Sequence, residues 1–205
     1  MNRPKTTHLA LPSSALFVAQ GIAWAFDLRS DANCRPTTTN QTDASAENLR
    51  PQTWPRDVES SRPAIVMTQA VYTRVLAELL RLAPEAGGAL IGPKDTELVT
   101  HYLPNDGEAT PTSFTLDHTT LNRQLATLGE AGLDLKGIVH SHPAGVHSPS
   151  RGDWAYLDRL LSNPKNRSAT SFSFPIVCDG RMWPYVALRV ARGEIVLRSA
   201  TLILV

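Results

Sequence analysis

Lys136-Gly-Ile-Val-His-Ser-His-Pro-Ala-Gly-Val-His-Ser-Pro-Ser-Arg-Gly-Asp153 is the stretch from which the rest of the chain is read. Its first seven residues have the apolar content of a buried strand and end at Pro143. Residues two apart on a strand project from one face, so His140 and His142 converge on one point. A turn rich in Pro, Gly and Ser follows. The chain resumes at Ser150-Arg-Gly-Asp153 and enters Trp154-Ala-Tyr-Leu-Asp-Arg-Leu-Leu161, whose apolar period suits a helix. Asp153 therefore falls in a first helical turn, where its direction is fixed. Two neutral imidazoles and one carboxylate, with a fourth position left open, form the pattern of a catalytic zinc site rather than a structural one, which closes its shell with four protein ligands.

A hydrolytic site of this kind needs a base. Arg81-Leu-Ala-Pro-Glu85-Ala-Gly-Gly-Ala-Leu-Ile-Gly92 ends one helical pattern and begins a short apolar strand, which sets Glu85 at the mouth of that strand. A carboxylate there can take a proton from water at the metal without being a ligand. Each fragment also has a plainer reading. Ser150-x-x-Asp153 ahead of an apolar run is an ordinary capping box, His-x-His on a strand is often structural, and a Glu before two glycines is often a solvated turn residue. The joint order of base, two ligands, hydroxyl and third ligand favours the metal site over all three. His147 reads as an exposed turn residue, and His8, His101 and His118 have no recognisable spacing.

Glu85 with its Gly-Gly-Ala-Leu-Ile-Gly strand, then His-x-His-Pro, seven residues, and Ser-x-x-Asp resembles the JAMM (MPN+) metallopeptidase signature, with no departure inside the motif. The resemblance spans Pro63 to Leu197 in element order, and its specific part is the Glu85 strand and the His140 to Asp153 segment. It implies a zinc-dependent peptidase acting after the C-terminal tail of a ubiquitin-like protein, with one Zn2+ per chain. Carried across, it makes His140, His142 and Asp153 the metal ligands, Glu85 the general acid/base and Ser150 a donor to the oxyanion. The implied fold is a three-layer α/β/α arrangement with a mixed central sheet, related to cytidine deaminases.

Composition sets the outer limits. The chain has 205 residues and a net charge of +1, enough for one well-buried core and short of two ordinary domains. Without a clustered Lys/Arg footprint, nucleic acid is not an expected partner. Cys34 and Cys178 share no Cys-x-x-Cys spacing, so neither a disulfide framework nor a cysteine-rich zinc site is implied, and a reducing, cytoplasmic setting is expected. Residues 1–62 read as an N-terminal extension, and 63–205 as the metallopeptidase domain. Within the extension, Asp31 to Arg62 is rich in Thr, Asn, Ser and Pro and reads as linker or disorder. Leu9 to Phe26 is uncharged and has the outline of a weak secretory signal, but Gln20 and Gly21 interrupt it. It is too short and polar to span a bilayer, so no membrane association is expected.

The remaining elements alternate. Thr68 is placed to cap a helix through Leu82 with Val71, Val75, Leu79 and Leu82 on one face. Strands are expected at Gly88–Ile91, Glu97–Leu103 and Ser113–Leu116, then a helix from His118 to Ala131 capped by Asp117 and closed by Gly132. Two strands, Ser171–Cys178 and Arg181–Arg189, flank the hairpin turn Asp179-Gly180, and Glu194–Val205 supplies a last strand. Pro104 to Ser113 and Ser162 to Thr170 are short where, in the family that the chain resembles, longer insertions gate the groove, so the resemblance implies an open groove to which an extended tail can add as a strand. The same site would serve an enzyme that processes sulfur-carrier β-grasp proteins in cofactor or cysteine synthesis. A RadC-type protein has a related string but calls for basic clustering, and a nucleoside deaminase needs Pro-Cys-x-x-Cys and His-x-Glu, which this chain lacks. A non-catalytic MPN scaffold usually lacks the ligands that are all present here.

Overall fold

The computed structural model describes residues 62–82, 85–105, 107–110, 113–190 and 193–205. The expected extension, apart from Arg62, lies outside the described residues, as does Cys34.

Strand β1 (Ala64–Met67) leads into helix α1 (Gln69–Leu79), whose first turn is closed by the Thr68 hydroxyl accepting from the Val71 amide at 3.3 Å. Val71, Val75 and Leu79 are buried at helical spacing. The helix stops short of Leu82, which is half exposed and not part of that buried face. β2 (Gly87–Pro93) follows, then β3 (Leu98–Val99), β4 (His101–Asn105) and a hairpin of β5 (Glu108–Thr110) and β6 (Ser113–Thr115). Helix α2 (His118–Glu130) starts where the Asp117 carboxylate accepts from Thr119 and Thr120 amides, each at 3.1 Å. Gly132 takes the left-handed conformation just past its end, as its place in the sequence predicts.

β7 (Leu133–Ser141) is the central strand and α3 (Arg151–Ser162) the helix after the turn. Beyond it the expected long strands are each divided. Ser171–Cys178 becomes β8 (Ser171–Ser173) and β9 (Ile176–Cys178), and Arg181–Arg189 becomes β10 (Arg181–Trp183) and β11 (Tyr185–Arg189). The breaks fall at Pro175 and Pro184, where the ring removes a ladder donor. The last segment divides into β12 (Ile195–Ser199) and β13 (Thr201–Leu204), which belong to different sheets. Asp179 and Gly180 both have positive φ, 51° and 77°, as a two-residue hairpin turn between β9 and β10 requires.

The main sheet is mixed. β2 pairs antiparallel with both β4 and β7; β7 pairs parallel with β8 and β9; and β8, β11 and β12 continue antiparallel to the far edge. β1 lies between β13 and β3 in a small parallel sheet. Alternation along β2 and β7 divides the core. Ala89, Ile91 and Ile138 face Leu121 of α2 and Leu157, Leu160 and Leu161 of α3, whereas Leu90 and Val139 face Val71, Val75 and Leu79 of α1. Helices therefore cover both faces of a mixed sheet, the α/β arrangement expected. Among the described residues, no helix is long and apolar enough to cross a membrane.

The pairing of β7 with β8 depends on Gly137, since a Cβ there would stand 2.0 Å from the Ser173 carbonyl oxygen. Gly137→Ala must push apart two backbones at the sheet centre and is expected to destabilise the domain by about 1–3 kcal/mol, the usual scale of overpacking. Thermal or urea denaturation measures it, and an unchanged midpoint would contradict the close approach.

Candidate active site

The site forms where β7 ends. Gly87 of β2 is in register with His140, and one residue further on the Ser141 amide donates to the Ala86 carbonyl at 2.8 Å. The Ser141 hydroxyl, on the opposite face of the strand from the imidazoles, accepts from the Ala86 amide at 3.0 Å and donates to the Ala86 carbonyl at 3.2 Å. Sequence reasoning passed over this residue, although its place between the two histidines aims it away from their face. On the other side of β7, the His140 amide donates to the Pro175 carbonyl and the His142 amide to the Val177 carbonyl. His142 lies one residue past the strand and is held by that bond in extended direction.

His140 and His142 are both buried, and their Nε2 atoms are 2.9 Å apart. Asp153 enters from the first turn of α3, its Oδ1 at 3.2 Å from His140 Nε2 and its Oδ2 at 3.4 Å from His142 Nε2. Ligands about 2.0–2.1 Å from a tetrahedral zinc stand about 3.3 Å from one another, so these three donors already have the spacing of a zinc shell. The His142 ring orientation supports this use. Its Nδ1 donates to the Val146 carbonyl at 3.1 Å, which leaves the Nε2 lone pair of the neutral ring facing His140 and Asp153. The His140 ring packs on Phe174 with centroids 4.7 Å apart, and its buried Nδ1 has no hydrogen-bond partner among the described residues.

Electrostatics inside the cluster are tightly linked. Burial by itself would raise the Asp153 carboxyl, but hydrogen bonds from His140 and His142 and from the Ser150 amide hold it well below the usual carboxylate range. Burial opposes charging of His142, yet Asp153 and Glu85 together push its pKa above the ordinary imidazole value. A divalent cation can take the place of that proton between the same groups.

Glu85 stands immediately before β2 with φ of 74°, an uncommon conformation for a residue with a Cβ. Its carboxyl is raised, first by burial and then by Asp153, against the lowering influence of His142 and His140. Ala86, the next residue, is bonded to Ser141 between the two histidines, so the backbone brings Glu85 to this end of β7. Ser150 is the cap of α3: its hydroxyl accepts from the Asp153 amide at 3.2 Å while Asp153 Oδ2 accepts from the Ser150 amide at 2.6 Å. The capping box and the candidate ligand set are therefore the same residues. The Ser150 hydroxyl proton is not engaged by this cap and remains available as a donor.

The other histidines divide. His101 Nδ1 bonds the Thr100 hydroxyl at 2.8 Å, and His118 stacks on Tyr156, both away from the cluster. His147, read as an exposed turn residue, is partly exposed but paired with Asp179 at 2.5 Å. His8 lies outside the described residues.

Residues 68–191 match a family model described as prokaryotic homologs of the JAB domain. Over 78 residues the chain is 40% identical to a probable TtuB-protein conjugate cleaving protease of Thermus thermophilus, a match covering 38% of this chain and 52% of that protein. The match thus spans about half the length of this curated relative. The solution structure of protein DSY2949 from Desulfitobacterium hafniense aligns with 24% identity and a TM-score of 0.52, covering 68% of this chain and 92% of that one. AF2198, a JAB1/MPN domain protein from Archaeoglobus fulgidus, aligns with 19% identity over 67% of this chain and 97% of that one, at a TM-score of 0.39, too low to bear on the fold. The family match extends over more than half of the chain and takes in Glu85, both clustered histidines, Ser150 and Asp153: the chain belongs to the prokaryotic homologs of the JAB domain.

Proposed function

We propose that this protein is a zinc-dependent isopeptidase or peptidase that cleaves after the C-terminal tail of a ubiquitin-like protein, releasing it from targets or trimming its precursor. The observation that carries the reading is the convergence of His140, His142 and Asp153 at 2.9–3.4 Å with a Glu85 carboxyl, raised by burial, beside them. The likeness to a probable TtuB-protein conjugate cleaving protease of Thermus thermophilus supports protein conjugates as the substrate class. Processing of a sulfur-carrier protein would use the same chemistry on a different tail. A pure scaffold has no use for a carboxylate and two imidazoles buried around one point.

When bound by His140, His142 and Asp153, zinc supplies Lewis acidity toward a carbonyl and a water. Glu85 accepts a proton from the attacking water, whose oxygen forms the new bond to the scissile carbonyl carbon. The Ser150 hydroxyl donates to the carbonyl oxygen as negative charge develops on it. Glu85 then passes the proton to the departing nitrogen as the C–N bond breaks, giving a carboxylate and an amine. The orientation of the base follows from the β2–β7 pairing and that of the hydroxyl from the α3 cap, so neither depends on a mobile side chain alone.

Zinc analysis of the purified chain and incubation with fusions ending in a diglycine tail test the proposal together. Glu85→Gln should retain the wild-type zinc content and lose hydrolysis, whereas the paired His140→Ala and His142→Ala change should lose one equivalent of zinc together with hydrolysis. Undiminished zinc content in the double variant relative to the wild type, or near wild-type turnover in Glu85→Gln, would overturn the assigned roles.

Ser150 separates two roles by rescue. As the oxyanion donor, Ser150→Ala should slow single turnover by about 100-fold to 1000-fold, and Ser150→Asp should also fail, because a carboxylate repels the developing charge. As a cap only, Ser150→Ala should cost about 0.5–2 kcal/mol of stability with turnover kept, and Asp should restore wild-type behaviour. We assign Ser150 the first role; full activity of Ser150→Asp would reduce it to the second.

The catalytic domain is proposed to be residues 63–205. Removing residues 1–50 should leave a folded, zinc-binding domain, and an insoluble or metal-free product would show that the apolar Leu9 to Phe26 stretch is part of the core.

A further inference from the structure

We propose that His147, Cys178 and Asp179 form a second metal site, with three protein donors and a fourth position for water, that takes zinc or a similar divalent ion of intermediate softness and fixes the loop between His142 and Ser150. The donor atoms, one imidazole nitrogen, the thiol sulfur and a carboxylate oxygen, all lie within 4.8 Å of one another. They come from two parts of the chain: His147 from the loop, and Cys178 with Asp179 from the end of β9 and its turn. None of them belongs to the His140 cluster.

The chemistry of the set is specific. Thiolate and imidazole together select zinc and its neighbours over calcium or magnesium, which require oxygen. Each donor is also held by a neighbour, as ligands in metal sites are. The Gly145 amide reaches both Asp179 oxygens, at 3.3 and 3.1 Å. The His147 ring lies over Trp183 with centroids 4.4 Å apart, and its carbonyl accepts from the Tyr185 hydroxyl at 3.1 Å. Cys178 is buried with its thiol donating to the Pro143 carbonyl at 3.2 Å, whereas the His147 and Asp179 side chains are 39% and 36% exposed. An ion can enter from the solvent side and meet sulfur on the inner side.

Binding requires two adjustments. His147 Nε2 and Asp179 Oδ2, now 2.5 Å apart in a hydrogen bond, must open to the spacing of about 3.3 Å that ligands of one zinc adopt. The thiol, held above its ordinary pKa first by burial and then by Asp179, must lose its proton to the ion. Both are small side-chain events. The result would tie Gly145 and His147 to the β9–β10 turn through one centre, in exchange for the thiol's hydrogen bond to the Pro143 carbonyl.

Cobalt(II) substitution of the full-length protein tests the site, because the His140 cluster contains no sulfur. The wild type should bind about two equivalents and show near-ultraviolet sulfur-to-cobalt charge transfer. Cys178→Ser and His147→Ala should each remove that band and about one equivalent, while Cys34→Ser and the paired His140 and His142 change should keep the band. Binding of one equivalent with no charge-transfer band in the wild type would overturn this site and leave the His140 centre untouched. A band lost in Cys34→Ser and kept in Cys178→Ser would overturn it as well.

Discussion

Everything at the candidate active site depends on how β2 is fastened to the end of β7. The Ser141 amide donates to the Ala86 carbonyl, and the Ser141 hydroxyl accepts from the Ala86 amide and donates to the same carbonyl. That bonding fixes the register in which Gly87 stands opposite His140. A slip of one residue would turn both imidazoles to the α1 face of the sheet and take Glu85 out of reach. The glycines around this junction have a packing reason. A Cβ at Gly88 would lie 2.3 Å from the Leu103 carbonyl oxygen, and one at Gly137 would meet β8, so β2, β4, β7 and β8 approach closely only because both positions lack side chains.

The cost of the arrangement falls on polar burial. Two imidazoles and a carboxylate taken out of water are destabilising unless each finds a partner. Here they are partners of one another, and the carboxylate is also committed to the first turn of α3. Asp153 thus serves the helix and the cluster through the same two oxygens: Oδ2 takes the Ser150 amide and approaches His142, while Oδ1 approaches His140. Because a cap and a ligand set share these atoms, the helix cannot shift without dispersing the cluster. Its apolar face, Leu157, Leu160 and Leu161, is packed into the core and keeps it from doing so.

The convergence of His140, His142 and Asp153 was legible from local spacing because these three candidate ligands are close in sequence. Alternation on a strand brought His140 to His142, the capping pattern oriented Asp153, and a strand onset located Glu85. The fold was legible in element order, less so in element length. Pro175 and Pro184 divide strands whose apolar pattern runs on unbroken, and Ala200 lies between two segments that join different sheets, a choice made by partners distant in sequence. Leu82 continues the helical period of Val71 to Leu79 but falls beyond the end of α1 and is half exposed. The roles of Ser141, Cys178 and Asp179 required contacts across 55, 35 and 34 residues respectively, which no local pattern carries.

The loop from Pro143 to Pro149 joins these two levels. It must hold His142 and Asp153 at bonding distance while being neither strand nor helix. Proline at each end restricts the conformations it must give up on folding. The interior is then fixed by side chains from the β9–β11 region: Asp179 on the Gly145 amide, Tyr185 on the His147 carbonyl, and Cys178 on the Pro143 carbonyl. The loop in turn orients a candidate ligand, since its Val146 carbonyl accepts from His142 Nδ1 and so selects the tautomer that presents Nε2 inward. Changes at the β9–β10 turn can therefore reach the His142 ring through one continuous chain of bonds, Asp179 to Gly145 and on through the adjoining Val146 carbonyl. The geometry of the cluster is set partly by a hairpin that contributes no residue to it.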